Sequence, residues 1–260
     1  MNTLRTRSRT SAVSKERGRP RGFFVDSVLV RIIILDVAST AYLCTTSHKI
    51  KEDAMELFAS PLACSLASHI TAVEAGLPVK VRFIENKKTD DGGDYFAISA
   101  KGYVPALRLE DGRILNEGPS VLQYLADRKP DAALAPAWGT IERYELIDTL
   151  NYLSTEVHKR IFANVFSQTA AEPTKAAARA LMEPTLDYLA KKLGDRDTLV
   201  GTNFTVADAY FVTLLNWFGF VGVDLKKWPT INAYYQKHLQ RPSVAHAMGI
   251  EMAERKRRAA

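Results

Sequence analysis

Between Met55 and Ile84 the sequence reads strand, helix, strand. A helix placed between two strands allows them to lie side by side and parallel, so this stretch constrains the fold more than any other. Met55 to Ser60 is a short apolar strand broken by Pro61. A helical pattern then runs from Ala63 to Ala75 and is closed by Gly76 and Pro78; Val79 to Ile84 is the second strand. Cys64 therefore falls in the first turn of the helix. Free N–H groups and the helix dipole favour an anion there, and the thiol is expected to ionise more easily than a free cysteine.

Lys87 to Gly93 reads as a polar loop and Asp94 to Ser99 as a short helix. Ala106 to Glu110 and Arg113 to Leu115 are strands joined at Asp111-Gly112, a hairpin signal, and a helix follows from Pro119 to Arg128. Lys129 to Trp138, with Pro130 and Pro136, reads as a linker. Beyond it the strand signal ends. Ile141 to Phe166 is a long helical pattern, with Ile141, Tyr144, Ile147, Leu150 and Leu153 at every third position. Glu172 to Leu193 is another, kinked at Pro184. Thr205 to Phe218, Trp228 to Leu239 and a segment from Ser243 complete the chain. Thr205 and Asp208 are spaced for a reciprocal cap, a structural feature rather than a chemical one. The expectation is a small α/β domain over residues 55–129 followed by an all-helical domain over 139–253, behind a leader over 1–54.

The chain carries 35 basic and 29 acidic side chains, which raises the possibility of a polyanionic partner. Residues 1–54 hold ten of the basic and five of the acidic groups, leaving 25 against 24 in the remainder. A nearly neutral body excludes a nucleic-acid-binding surface as its main business. The leader is Arg- and Ser-rich, and its apolar run from Val28 to Leu35 is interrupted by Arg31. It is too short and too charged to span a bilayer, and fits neither a transit nor a signal peptide well. It reads as upstream sequence or a disordered tail. Two cysteines, Cys44 and Cys64, make no disulfide framework, and the five histidines lack metal-ligand spacing. A reducing, cytoplasmic setting without a metal cofactor is expected.

The β-α-β-β-α unit with Cys64 at its first helix, "GYVPAL", "NEGPSVLQYLAD" and "FTVADAY" resemble, in that order, a cytosolic glutathione S-transferase; "ACSL" and "NYLSTEVHK" resemble the bacterial beta class. The resemblance covers Met55 to about Glu251. It implies a thioredoxin-like domain followed by an all-α domain, a homodimer, and glutathione as co-substrate for conjugation to a small electrophile. It also implies roles for individual residues. Cys64 would form a mixed disulfide with glutathione or hydrogen-bond its sulfur. With no second cysteine three residues on, any redox turnover must take its resolving thiol from glutathione. Ser65 would donate to the same sulfur or cap the helix. Val104-Pro105 would be a cis bond presenting the Val104 N–H and C=O to the cysteinyl backbone. Glu117 and Gly118, at a helix start, would hold the ammonium and carboxylate of the γ-glutamyl group. Lys87, or its neighbour Lys88, would meet the glycyl carboxylate. Asn151 and His158, seven apart on one helix, would share a face towards the cysteinyl group, with His158 stabilising a thiolate.

Two positions depart from the family. Ala59 stands where many members carry a thiol-activating Tyr or Ser, and Gly118 where many carry a Ser. These departures keep open a second reading, a non-catalytic glutathione- or ligand-binding protein. Phe162, Phe166, Tyr210, Trp217 and Phe218 supply apolar surface for a second substrate, although aromatics at helical spacing are more often core, so none is assigned to binding.

Overall fold

The computed structural model describes residues 54–260. The expectation for the leader, with Cys44 and His48, falls on residues outside this range. β1 (Glu56–Ala59) alternates its faces: Leu57 packs with Met55, Leu107 and Leu125 on one side, and Phe58 with Ile84, Tyr95 and Ala106 on the other. β1 pairs in parallel with β2 (Lys80–Phe83) and antiparallel with β3 (Ala106–Arg108). β3 forms the expected hairpin with β4 (Ile114–Asn116), giving the sheet order β2-β1-β3-β4. The short helix expected near Asp94 is a single 3₁₀ turn, Tyr95–Ala97, capped by the Asp94 carboxylate.

Between β1 and β2 lies α1 (Ser65–Glu74), in which every residue from Ser65 to Ala72 is buried. Such a helix must be covered on all sides. The sheet and α2 (Gly118–Asp127) take one side; two helices of the second half, α6 (Val206–Phe220) and α8 (Pro242–Ala259), take the other. One apolar core thus runs from α1 and α2 into the helical half.

The helical half begins with α3 (Ile141–Tyr152), which continues without a break into a wider π-helical stretch, Leu153–Phe162, and a last α turn at Ala163–Val165. The three-residue spacing from Ile141 does not define its buried face. Ile141 and Tyr144 are exposed, whereas Arg143, Leu146, Leu150 and Leu153 are buried. Steps of three drift steadily around an α-helix, so five of them cannot stay on one side. Arg143 can be buried because Asp127, Gln123 and the Pro136 carbonyl accept from its guanidinium and Trp138 stacks over it at 3.9 Å. The helix expected over Glu172 to Leu193 divides into α4 (Glu172–Ala180) and α5 (Met182–Leu193). The break falls just after Ala180, four residues before Pro184, where the proline ring would meet the carbonyl. α6, α7 (Pro229–Leu239) and α8 follow. Among the described residues no helix is long and apolar enough to cross a membrane.

Candidate functional site

Cys64 is the N-cap residue of α1 rather than a member of its first turn. The loop bringing it there is fixed by its own backbone groups. Leu62 sits at φ +60°, a strained value for a leucine. Its N–H donates to the Glu251 carboxylate at 2.6 Å and its carbonyl accepts from the Trp217 indole at 2.8 Å. Glu251 is fully buried and also contacts His69 of α1 at 3.0 Å. Residues of α6 and α8 therefore hold the peptide two positions before the cysteine.

The thiol is not activated. Its Sγ donates to the Val104 carbonyl at 3.1 Å, and burial pushes its pKa up to about 11 against the opposing pull of Lys159 and the N–H groups of Cys64 and Ser65. This corrects the expectation of an easily formed thiolate. A helix head contributes up to about 1 kcal/mol, less than one pKa unit, whereas desolvation can shift a buried group by several units. It also corrects the reading of Val104 as wholly free: its carbonyl already accepts one proton, leaving a second lone pair and the N–H for a ligand.

Three cavities meet at Cys64. A narrow cleft runs towards the head of α2 and is lined by Glu117, Gly118, Ser154, His158 and Tyr210. A groove of about 480 Å³ runs past Val104 and Gly102 to Lys87. The third, about 440 Å³, lies against Phe166, Trp217 and Phe220. The cleft and the groove share Cys64, Tyr103, Val104, His158 and Lys159, and so form one continuous polar channel.

Most of the residues singled out from the sequence line this channel. The Val104-Pro105 peptide is cis. Glu117 sits at φ +71° immediately before α2; Lys101 pairs with its carboxylate at 2.7 Å and lowers its pKa. Lys87 donates to the Gly102 carbonyl at 2.7 Å at the far end of the groove, while Lys88 lines a separate cavity with Glu254 and Arg257.

Ser65 and Asn151 depart from expectation. Ser65 neither donates to the Cys64 sulfur nor caps α1: its hydroxyl donates to the Ser60 carbonyl and accepts from the Ser60 N–H, closing the loop at β1. Asn151 is exposed and lines none of the three cavities. The stretch after Tyr152 turns with i→i+5 pairing, so seven residues no longer make two turns, and Ser154, His158 and Lys159 reach the channel instead.

His158 lines all three cavities. Burial, helped by Lys159, lowers its pKa to about 4 against the pull of Glu117, so it is neutral and can only hydrogen-bond a thiolate, not neutralise it. Its Nδ1 lies 2.7 Å from the Tyr210 hydroxyl, and burial pushes the Tyr210 pKa upward, keeping the phenol protonated. Tyr210, Ser154 and Lys159 were not picked out as site residues from the sequence. Ser154 and Lys159 lie within the "NYLSTEVHK" motif and follow from a π register; Tyr210, inside "FTVADAY", has no local signal beyond its place in that motif. Of the other aromatics considered, Phe166 and Trp217 line the third cavity, whereas Phe162 and Phe218 are fully buried in the core.

Comparison with known proteins identifies the family whose fold carries these residues. Residues 63–128 match the glutathione S-transferase N-terminal domain family and residues 149–242 the C-terminal domain family. Glutathione S-transferase GstA of Escherichia coli O157:H7 is 42% identical over 199 residues, 76% of this chain and 98% of that protein. A beta-class glutathione S-transferase of Sphingomonas chungbukensis superposes with a TM-score of 0.73 at 41% identity, covering 75% of this chain and 98% of that one. A sphingomonad glutathione S-transferase solved in complex with glutathione gives a TM-score of 0.73 at 39% identity, again over 75% and 98% of the two chains.

Proposed function

The chain belongs to the glutathione S-transferase family, as a glutathione transferase of the bacterial beta class, and from that premise we propose that the channel through Cys64 binds glutathione while the cavity behind it receives the electrophile. The observation that carries this is the position of Cys64 where the channel and the apolar cavity meet. The γ-glutamyl end lies at Glu117 and Gly118, its carboxylate at the Gly118 N–H, since Pro119 has none and the Ser120 and Val121 N–H groups donate to the Glu117 carbonyl, and its ammonium at Glu117, shared with Lys101. The cysteinyl backbone pairs with Val104, and the glycyl carboxylate meets Lys87. Domain limits of 55–129 and 139–253 follow from this division of labour. We take the protein to act in the cytoplasm as a homodimer, a state that sedimentation velocity measures directly.

For conjugation, the glutathione thiol loses its proton to solvent, its sulfur attacks the electrophilic carbon, and the leaving group departs with its electron pair. Lys159 stabilises the thiolate by charge and His158 by a hydrogen bond. For disulfide reduction, the Cys64 thiolate attacks the glutathionyl sulfur of a mixed disulfide between glutathione and a second thiol. That S–S bond breaks, the second thiol leaves as its thiolate, and a Cys64–glutathione disulfide forms; a glutathione thiolate then attacks it, releasing oxidised glutathione and the Cys64 thiolate. This makes thiol reductase activity a companion of transfer; with a hydroperoxide the thiolate takes one oxygen to become a sulfenic acid as the alcohol leaves, one glutathione condenses with it to the same mixed disulfide with loss of water, and a second resolves it.

Incubation with oxidised glutathione followed by mass spectrometry should show one glutathione per chain, lost in Cys64→Ala together with reductase turnover. Chlorodinitrobenzene should be conjugated by the wild type. A protein retained on a glutathione matrix that shows neither turnover nor adduct would instead be a non-catalytic binder, the reading that Ala59 and Gly118 favour.

A further inference from the structure

The apolar cavity has an asymmetry that bears on its occupant. One end is formed by Cys64 and His158, and its walls by Phe166, Trp217 and Phe220. Among the described residues Arg255 is the one ionised side chain that lines it, and no carboxylate does; Glu251, one turn before Arg255, is turned to the Leu62 N–H and His69. Arg255 lies on α8, its guanidinium carbon 4.9 Å from the Phe220 ring centre. Its neighbours behave differently: Arg257 and Arg258 both pair with Glu254, whereas Arg255 meets no carboxylate among the described residues. The guanidinium thus rests on an aromatic wall with its donors unspent, across a cavity of about 440 Å³ that suits a one- or two-ring compound.

We propose that the electrophile is an aryl compound bearing a carboxylate or sulfonate, whose ring lies against Phe166, Trp217 and Phe220 and whose acid group is held by Arg255. Planar guanidinium donors match such an acid in a two-point contact, and the cavity offers it no competing anion. The proposal rests on the reading of this cavity as the electrophile's site. With a chlorinated substrate, the glutathione thiolate forms a C–S bond at the carbon bearing chlorine, the C–Cl bond breaks, chloride leaves with the bonding electrons, and the thiol proton goes to solvent.

The test compares chlorodinitrobenzoate with its methyl ester, the same ring with and without the charge. In the wild type the preference for benzoate over ester in kcat/KM should weaken as ionic strength rises past about 0.15 M, where charges are screened. Arg255→Leu should lower that preference about fivefold, the upper range for a partly exposed ion pair, and Arg255→Lys should retain part of it. A preference unmoved by both salt and Arg255→Leu overturns the proposal while leaving the transferase reading intact. Failure of the wild type to conjugate either compound overturns the assignment of the cavity, and this inference with it.

Discussion

Two helices begin beside an ionisable side chain, α1 at Cys64 and α6 at Thr205 with Asp208, and they treat it in opposite ways. Asp208 is fully buried, and four donors meet its carboxylate: the N–H groups of Leu199 and Thr205 and the hydroxyls of Thr205 and Tyr234; burial raises its pKa against their pull. Cys64 has no such set. Its thiol donates to a carbonyl, and burial raises its pKa to about 11. Both lie at the positive end of a helix dipole, so the dipole does not decide the outcome. Burial raises the pKa of both groups; what differs is the number of hydrogen bonds that oppose it, four at the Asp208 carboxylate and the N–H groups of Cys64 and Ser65 at the thiol. The carboxyl group is held in place by four partners, whereas the thiol is left protonated until a ligand arrives.

The largest test of this contrast removes the satisfied anion. Asp208→Ala strands four buried donors and should cost ~3–4 kcal/mol in urea unfolding, since each charge-assisted bond contributes roughly 1.5–3 kcal/mol gross and neighbours relax in part. Asp208→Asn, which keeps the shape and one acceptor oxygen, should cost less. A loss under about 1 kcal/mol for Asp208→Ala would show that the helix head needs no such set.

The second test concerns the unsatisfied group. With its pKa near 11, Cys64 in the free enzyme is mostly thiol at neutral pH. The rate of adduct formation with oxidised glutathione should then climb about tenfold per pH unit from 7 to 10, because the thiolate is the nucleophile. Lys159 lowers this pKa, so Lys159→Met should slow the reaction several-fold at fixed pH. A plateau near pH 8.5 would mean that the α1 head outweighs burial after all. Stability carries the same sign. The unfolded thiol ionises near 9.0 and the folded one near 11, so any contribution from Cys64 is full below pH 9 and falls as pH rises towards 11.

The contrast also separates what the sequence makes legible from what it does not. The parallel β1–β2 pair, the Asp111-Gly112 hairpin and the Thr205–Asp208 cap depend on neighbours a few residues apart, and all three formed as their local patterns require. The buried face of α3 depends on Arg143 finding Gln123 and Asp127, 20 and 16 positions away, which no periodicity reveals. Asn151 moved out of the site because the backbone after Tyr152 widens, a choice made by packing rather than by propensity. The state of Cys64 departs from its local pattern for a similar reason. Its helix start is local, but the carbonyl that takes its proton lies 40 residues away and its enclosure involves another domain.

A third test turns on His158, the neutral group beside both the thiol and the electrophile's cavity. With the Tyr210 phenol as donor to Nδ1, the ring proton sits on Nε2, a tautomer with a donor for a bound sulfur; with the roles reversed it sits on Nδ1. Tyr210→Phe keeps the ring packing and removes that bond. Nitrogen-15 chemical shifts of His158 should change from one tautomer to a mixture. The value of kcat should fall about fivefold, the worth of one ordinary hydrogen bond, with little change in KM for glutathione. Unchanged nitrogen shifts would show that Tyr210 only fills space.

The smallest expected effect comes from moving a feature of the α6 head onto α2. Gly118 opens α2 at the proposed γ-glutamyl site without a hydroxyl, and a Cβ built there meets no atom within 4 Å. It is not among the glycines with positive φ, so a side chain is tolerated by the backbone as well as by the space. Gly118→Ser should therefore fold normally and gain some helix stability, because glycine near a helix start costs up to about 1 kcal/mol relative to residues with a side chain. If the γ-glutamyl carboxylate lies at this head, the added hydroxyl should tighten glutathione binding about threefold in calorimetry, close to 0.7 kcal/mol and within the range for one added hydrogen bond. Gly118→Ala is the control: it offers the same gain in helix stability with no donor. Equal affinities for the Ser and Ala variants would place the carboxylate away from α2, and would leave Lys87 and Val104 as the groups on which glutathione binding depends.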